Sequence, residues 1–355
     1  MNRRPTKAVA GFTLIELMVA MLLGLIVIAG VISVFLANQQ VYRTNAALGD
    51  VQDGTRMSFE MLAQNIREAG LTGCGNIGQV ANLLPEGPNG SSYNAVTDWW
   101  TNWSNALVGY GTGTSTANPA LTVGTAIGNQ VSGTDSLMIL SAADVGLSVK
   151  TQTTSATTFT LNGTSSDLAA NTVMIVCDPW LATIFRASSY IAGTNPVIGY
   201  GSPANFSTNL SYGYALPVGV SNYTYVANAP IATLAAGVWY IGYNPLLNKS
   251  TSLYLASVNT TTNPATVTQQ EMVRGVTAMH ITYNMANATS FVAASAVTSW
   301  SSVAAVQVSL TVQQTGAANA GVSTNAGTYT GATSAAAAPI QRIYTVTSTV
   351  RNRVQ

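Results

Sequence analysis

Residues 1–38 read MNRRPTKAVAGFTLIELMVAMLLGLIVIAGVISVFLAN, and this stretch decides the architecture of the chain. Residues 1–11 carry Arg3, Arg4 and Lys7 and no acid, and from Phe12 to Asn38 the single ionisable residue is Glu16. At about 1.5 Å of rise per residue, roughly 25 such residues make a helix of about 37 Å, enough to cross a hydrocarbon layer of about 30 Å. Positive charge stays on the cytoplasmic side, so a membrane helix over 12–37 carries the rest of the chain outward from the inner membrane.

Two simpler readings of the stretch fail on particular residues. A secretory signal peptide has an apolar region of about 7–15 residues followed by a small-residue cleavage site. Here the small residue, Gly11, precedes the apolar run, so a cut there keeps the membrane helix. A plain signal anchor leaves Glu16 unexplained, because a carboxylate in hydrocarbon costs about 2.5 kcal/mol or more and needs a partner. A cut after Gly11 would create an α-amino group on Phe12, close enough in sequence to compensate that charge.

The run Gly11-Phe12-Thr13-Leu14-Ile15-Glu16 resembles the class III signal of type IV prepilins and type II secretion pseudopilins. The resemblance implies that a prepilin peptidase cleaves between Gly11 and Phe12 and that the new Phe12 is N-methylated. It also implies that Glu16 helps a subunit join a growing filament by pairing with a neighbour's N-terminal amine.

Beyond the membrane segment no proline occurs between Pro5 and Pro85, which allows the helix to continue. Leu48, Val51, Phe59, Leu62, Ile66 and Ala69 recur at helical spacings among charged residues, so 38–72 reads as an amphipathic half packed on a globular domain. Gly49 and Gly54 weaken it and mark where it could bend, and Gly70, Gly73 and Gly75 end it. The remainder, 73–355, is β-rich. Asp135–Leu140, Val173–Cys177 and Val238–Tyr243 are short apolar runs, and alternation over 306–312 and 344–350 has the period of half-buried strands. Residues 87–132 and 187–235 read as long polar insertions, and 313–339, rich in Ala, Gly, Thr and Ser, as a flexible loop. The expected fold class is therefore α+β: a long N-terminal helix on a β-rich domain.

Composition narrows function by exclusion. Only 7% of residues are charged, and from Ala69 onward seven basic residues face seven acidic ones. No concentrated Lys/Arg surface is present to displace counterions, so nucleic acid is not an expected partner. One histidine and two cysteines cannot assemble a zinc site, and no cofactor motif or catalytic constellation occurs, so the expectation is a non-enzyme without a cofactor or metal. His280 reads as a solvated strand residue opposite Met279, Ile281 and Tyr283. Trp99, Trp100 and Trp103 read as loop or core packing, with stacking on sugars or a partner as the other possibility. In a domain outside the cytoplasm Cys74 and Cys177 are expected to form a disulfide; two buried thiols are the alternative.

The helix end Arg67-Glu68-Ala69-Gly70, with Gly73-Cys74-Gly75, is similar to that of PilW-type minor pilins. So, in order, are GTDSLMI (133–139), CDPWLATIF (177–185), SLYL (252–255), EMVRGVTAMHITY (271–283), SWSSVAAVQVSLTV (299–312) and TSTVRNRV (347–354). Leu71 stands where an aromatic residue is usual and Gln307 where Arg is common. The resemblance implies a minor pilin in type IV pilus assembly or initiation, first in the inner membrane with a cytoplasmic N-terminus and then in the pilus, periplasm or cell surface. Its implied partners are the prepilin peptidase, the major pilin, other minor pilins and a tip adhesin. A type II secretion minor pseudopilin and a membrane-anchored, pilus-associated adhesin are the alternatives.

Overall fold

The structure, a computed structural model, describes residues 13–75, 78–111, 118–216, 222–245, 250–313 and 341–350. Helix α1 (Leu14–Glu68) opens it and continues through Gly49 and Gly54 unbroken. It closes at Glu68 rather than at Thr72, because Gly70 takes a left-handed conformation (φ 73°) that only glycine adopts cheaply. Residues up to Asp50 fall in one compact unit; Val51–Gln313 and the strand after residue 340 belong to a second.

In the second unit Val51, Phe59, Leu62 and Ile66 form one buried stripe on α1, continued by Ala69 just past its end. Each fully buried aliphatic side chain there contributes roughly 1.5–3 kcal/mol. The outward face carries an exposed Arg56–Glu60 pair at 2.8 Å, one turn apart, which adds little by comparison.

The strands follow in chain order as β1 (Val80–Asn82), β2 (Leu107–Tyr110), β3 (Ser136–Thr153), β4 (Thr158–Leu161) and β5 (Val173–Cys177). Next come β6 (Ala182–Arg186), β7 (Ser189–Ile191), β8 (Val197–Gly199), β9 (Pro230–Tyr243) and β10 (Thr251–Asn259). The last are β11 (Thr266–Arg274), β12 (Val276–Met285), β13 (Val292–Ala293), β14 (Val303–Gln313) and β15 (Gln341–Thr349). Among the described residues they make an eleven-stranded sheet and a four-stranded one ordered β13-β12-β14-β15.

Strand β9 is the hub of the large sheet. One edge pairs antiparallel with β3 over Pro230–Trp239; the other pairs with β5 through Ile231–Thr233 and with β10 through Gly237–Tyr243. The start of β9, Pro230–Ala235, lies in the segment 187–235 expected to be a polar insertion, and so do β7 and β8, so that expectation is wrong for these strands. Small residues hid the strand. Ala232, Ala235, Ala236 and Gly237 look like loop composition, but a Cβ on Gly237 would meet the Leu255 side chain at 2.9 Å, so smallness there admits β10. Strand β3 also runs well past Leu140. Its register shifts between Asp144 and Leu147, with Gly146 at φ 69°, a bulge that breaks the alternation by which the strand would have been read.

The centre of the large sheet is buried on both faces, which is why its strands are continuous apolar runs. Leu137, Ile139, Trp239 and Ile241 join the α1 stripe and the small sheet's Met279, Ile281, Tyr283 and Leu310 in one core. Met138, Leu140, Val238 and Tyr240 face the other way, into a second core closed by Trp99 and Trp100. A third core gathers Phe159, Phe185, Tyr200 and Tyr225. The expected polar insertion over 87–132 is also corrected: it supplies β2, paired antiparallel with β3, and it supplies Trp99 and Trp100 to the second core. Gly109 in β2 lets the small sheet approach: a Cβ there would overlap the ring of fully buried Tyr283, which packs edge-on against Trp300 at 4.9 Å. Burial pushes the Tyr283 hydroxyl well above its ordinary pKa, and the nearby Asp135 carboxylate adds to the rise.

Candidate assembly site

The structural elements on which assembly would depend are the two halves of α1 and the loop that follows it. At the start, Thr13 precedes the first helical residue, and its hydroxyl accepts the Glu16 N–H at 3.4 Å. This is half of a capping box, and the Thr13-x-x-Glu16 spacing carries its signature. Glu16 therefore sits in the first turn, where the helix N-terminus favours negative charge. Among the described residues no side chain pairs with its carboxylate. Around it Leu14, Ile15, Leu17 and Met18 are all exposed, and the large apolar side chains from Leu14 to Leu36 are exposed throughout. By length and composition this half is able to cross a membrane. Gly11 and Phe12 lie outside the described residues.

The second half is anchored by three devices. Its stripe fills the core described above. Trp239 Nε1 donates to Asn65 Oδ1 at 3.2 Å, tying the helix to the hub strand. After Glu68 the chain joins β3, with Gly70 N–H donating to Leu140 O at 2.8 Å and Ala142 N–H donating to Leu71 O at 2.9 Å. Gly73 and Gly75, at φ 95° and 90°, then turn Cys74 onto β5, where Cys74 and Cys177 are disulfide-bonded with Cα atoms 5.9 Å apart. The thiol alternative is thereby set aside.

The turn after Cys177 is built by Asp178. Its Oδ1 accepts the N–H groups of Trp180 and Leu181 at 2.9 and 3.0 Å, and its Oδ2 accepts the Tyr223 hydroxyl at 2.6 Å. Burial, then the hydrogen bond to Asp178, raises the Tyr223 pKa. Asn65, Asp178 and Tyr223 gave no sequence signal of their own, because each depends on a partner distant in the chain. His280 is exposed on β12, its Nδ1 4.0 Å from Asp135 Oδ2, while that oxygen also accepts Ile281 N–H at 2.7 Å. Trp99 and Trp100 are buried in the second core and Trp103 packs against it. Among the described residues no three His, Cys, Asp or Glu side chains gather as a metal site requires.

Two segments match known families. Residues 6–32 match the prokaryotic N-terminal methylation motif, and residues 238–352 match type IV pilus-assembly protein W. The second match spans the end of β9 through β15 and takes in the SLYL, EMVRGVTAMHITY and SWSSVAAVQVSLTV segments. No curated protein and no solved structure matches the chain.

Proposed function

Because this chain is a PilW-type prepilin-like protein, related to the type IV pilus, we propose that it is a structural minor pilin that takes part in assembling or initiating that pilus. The observation that carries the reading is the division of α1: an apolar half with no burial of its own, and an amphipathic half locked into a β-rich domain by core packing and a disulfide. A helix of this kind serves as a membrane anchor first and a filament-packing element afterwards. The proposed partners are the prepilin peptidase, the major pilin, other minor pilins and a tip adhesin, with the inner membrane as the first location. The role is structural rather than catalytic. A domain this large would crowd a filament if repeated at every step, so low copy number and a terminal position follow.

Deleting the gene is expected to abolish or sharply reduce surface pili and twitching while the major pilin still accumulates in the membrane. The full chain should restore pili, and a version starting after the membrane helix should not. Normal pilus numbers in the deletion strain would refute the assembly role. The match to type IV pilus-assembly protein W favours this reading over a type II secretion pseudopilin.

The mature protein is expected to begin at N-methylated Phe12, because a basic leader ending in Gly11 directly precedes an apolar helix that must be kept. N-terminal mass spectrometry of the membrane and pilus fractions checks this. A chain starting at Met1, or one cut beyond Ala37, would rule it out.

A further inference from the structure

An edge strand presents a row of backbone N–H and C=O groups without a neighbour, and proteins blunt such edges with charge, a bulge or a cover. Three edges differ in this respect. On β1 the Tyr214 hydroxyl accepts Val80 N–H at 3.1 Å and donates to Val80 O at 3.3 Å, which covers the edge. On β11 the register with β10 slips at Leu253/Tyr254, and the Glu271–Arg274 ion pair stands on the strand at 3.0 Å. Strand β15 has neither device. It pairs with β14 from Gln341 to Thr349 without a register shift, and among the described residues no strand pairs with its other edge. From Ile343 to Thr349 it is mostly β-branched and holds no charge, proline or glycine. Ile343 is 72% exposed and Val346 37%, and their spacing puts them on opposite faces, so apolar surface flanks the edge on both sides.

We propose that the free edge of β15 receives an extended, uncharged, β-branched segment of another pilus subunit, which becomes the fifth strand of the four-stranded sheet. Only an extended backbone meets alternating donors and acceptors along nine residues. A charged segment would gain no ion pair between Ile343 and Thr349 and would lose hydration, so the segment is uncharged. Ile343 and Val346 select β-branched or apolar neighbours on both faces. On the outer face, the Ser309–Thr345 contact at 2.8 Å and the Gln307–Thr347 contact at 3.4 Å run up to this edge, and Ser or Thr on the segment would continue them. The inference rests on the assembly reading, whose low copy number places other subunits, rather than a second copy, beside this chain. Strand β15 also lies within residues 238–352, the segment that matches type IV pilus-assembly protein W.

The test uses the full-length chain in cells that assemble pili. The photo-crosslinker benzoylphenylalanine replaces Ile343, Thr345 or Thr347 in turn, all of them exposed. Each variant is expected to form an adduct with another protein of the pilus fraction. Peptide mass spectrometry should place the three attachments on one uncharged segment, two residues apart for every two residues of β15, since paired strands advance together. Ile343→Lys combined with Thr347→Lys adds the charge that protected edges carry, and should cut both the Thr345 adduct and surface pili about tenfold. Its denaturant midpoint should match wild type, because both side chains are exposed. Thr266→Lys, at the exposed start of β11, should leave the adduct unchanged. The proposal is overturned if no adduct forms, if the attachments scatter over unrelated segments, if they fall within the same chain or a second copy, if Thr266→Lys removes them equally, or if the double-lysine variant crosslinks and assembles like wild type. That last result, in a strain that loses its pili on gene deletion, would sink the edge and spare the assembly role.

Discussion

Replacing Cys74 and Cys177 together by serine is expected to destabilise the folded domain by about 4 kcal/mol, since opening a closed loop of about 100 residues returns most of that as chain entropy to the unfolded state. The two residues are 103 positions apart, and the bond joins the loop after α1 to β5 beside the second core. Denaturant unfolding of the full chain, wild type against the double variant, measures the change as a lower midpoint. Adding reductant to wild type should reproduce it, and adding it to the variant should change nothing. Thiol labelling of denatured, unreduced protein should find no free thiol. An unshifted midpoint, or two reactive thiols in the unreduced full chain, would contradict this account of how the helix end is held.

Glu16→Ala should still be processed and inserted, yet its recovery in sheared pili should fall about 100-fold, the loss expected when breaking a buried ion pair costs about 3 kcal/mol. The variant is more at ease in the bilayer than the parent, because a carboxylate has left the hydrocarbon. Any loss from filaments must then come from a missing partner interaction rather than failed insertion. In the structure Glu16 lies in the first turn among exposed apolar side chains, with Thr13 accepting its backbone N–H. Glu16→Gln keeps length and polarity and removes only charge, so it should behave like the alanine variant if pairing with a neighbour's amine is the role. Wild-type recovery of either variant in the pilus fraction would count against it.

The strands differ in how plainly the sequence announces them. Val173–Cys177 is β5 residue for residue, because both faces of that strand are buried and no polar residue interrupts it. The alternation over 306–312 lies within β14, whose buried side faces one core and whose other side is half-exposed. Strand β15 is less regular: Tyr344 and Ser348 are half-buried and Val350 is buried, but Val346 is 37% exposed, as an edge strand permits. Strand β9 was legible only in its apolar second half. Its first half carries small residues such as Ala232, Ala235 and Ala236, and composition alone cannot separate these from a loop.

The candidate sites divide along the same line. Glu16 stands out because a lone carboxylate in an apolar run is improbable without a purpose, a property of neighbours in the chain. The free edge of β15 carries no such mark. Its residues read as a strand, and only the sheet order shows that one side goes unpaired among the described residues.

The membrane-competent helix, its amphipathic extension and the prepilin-like start are legible along one segment, because a helix satisfies its own backbone hydrogen bonds and needs only length, apolarity and spacing. That Cys74 meets Cys177, that β9 links β3, β5 and β10, and that Trp99 and Trp100 close a second core emerge from long-range packing alone. Those outcomes rest on pairings between residues tens to more than a hundred positions apart, and the free energy that selects them resides in contacts that no local stretch contains.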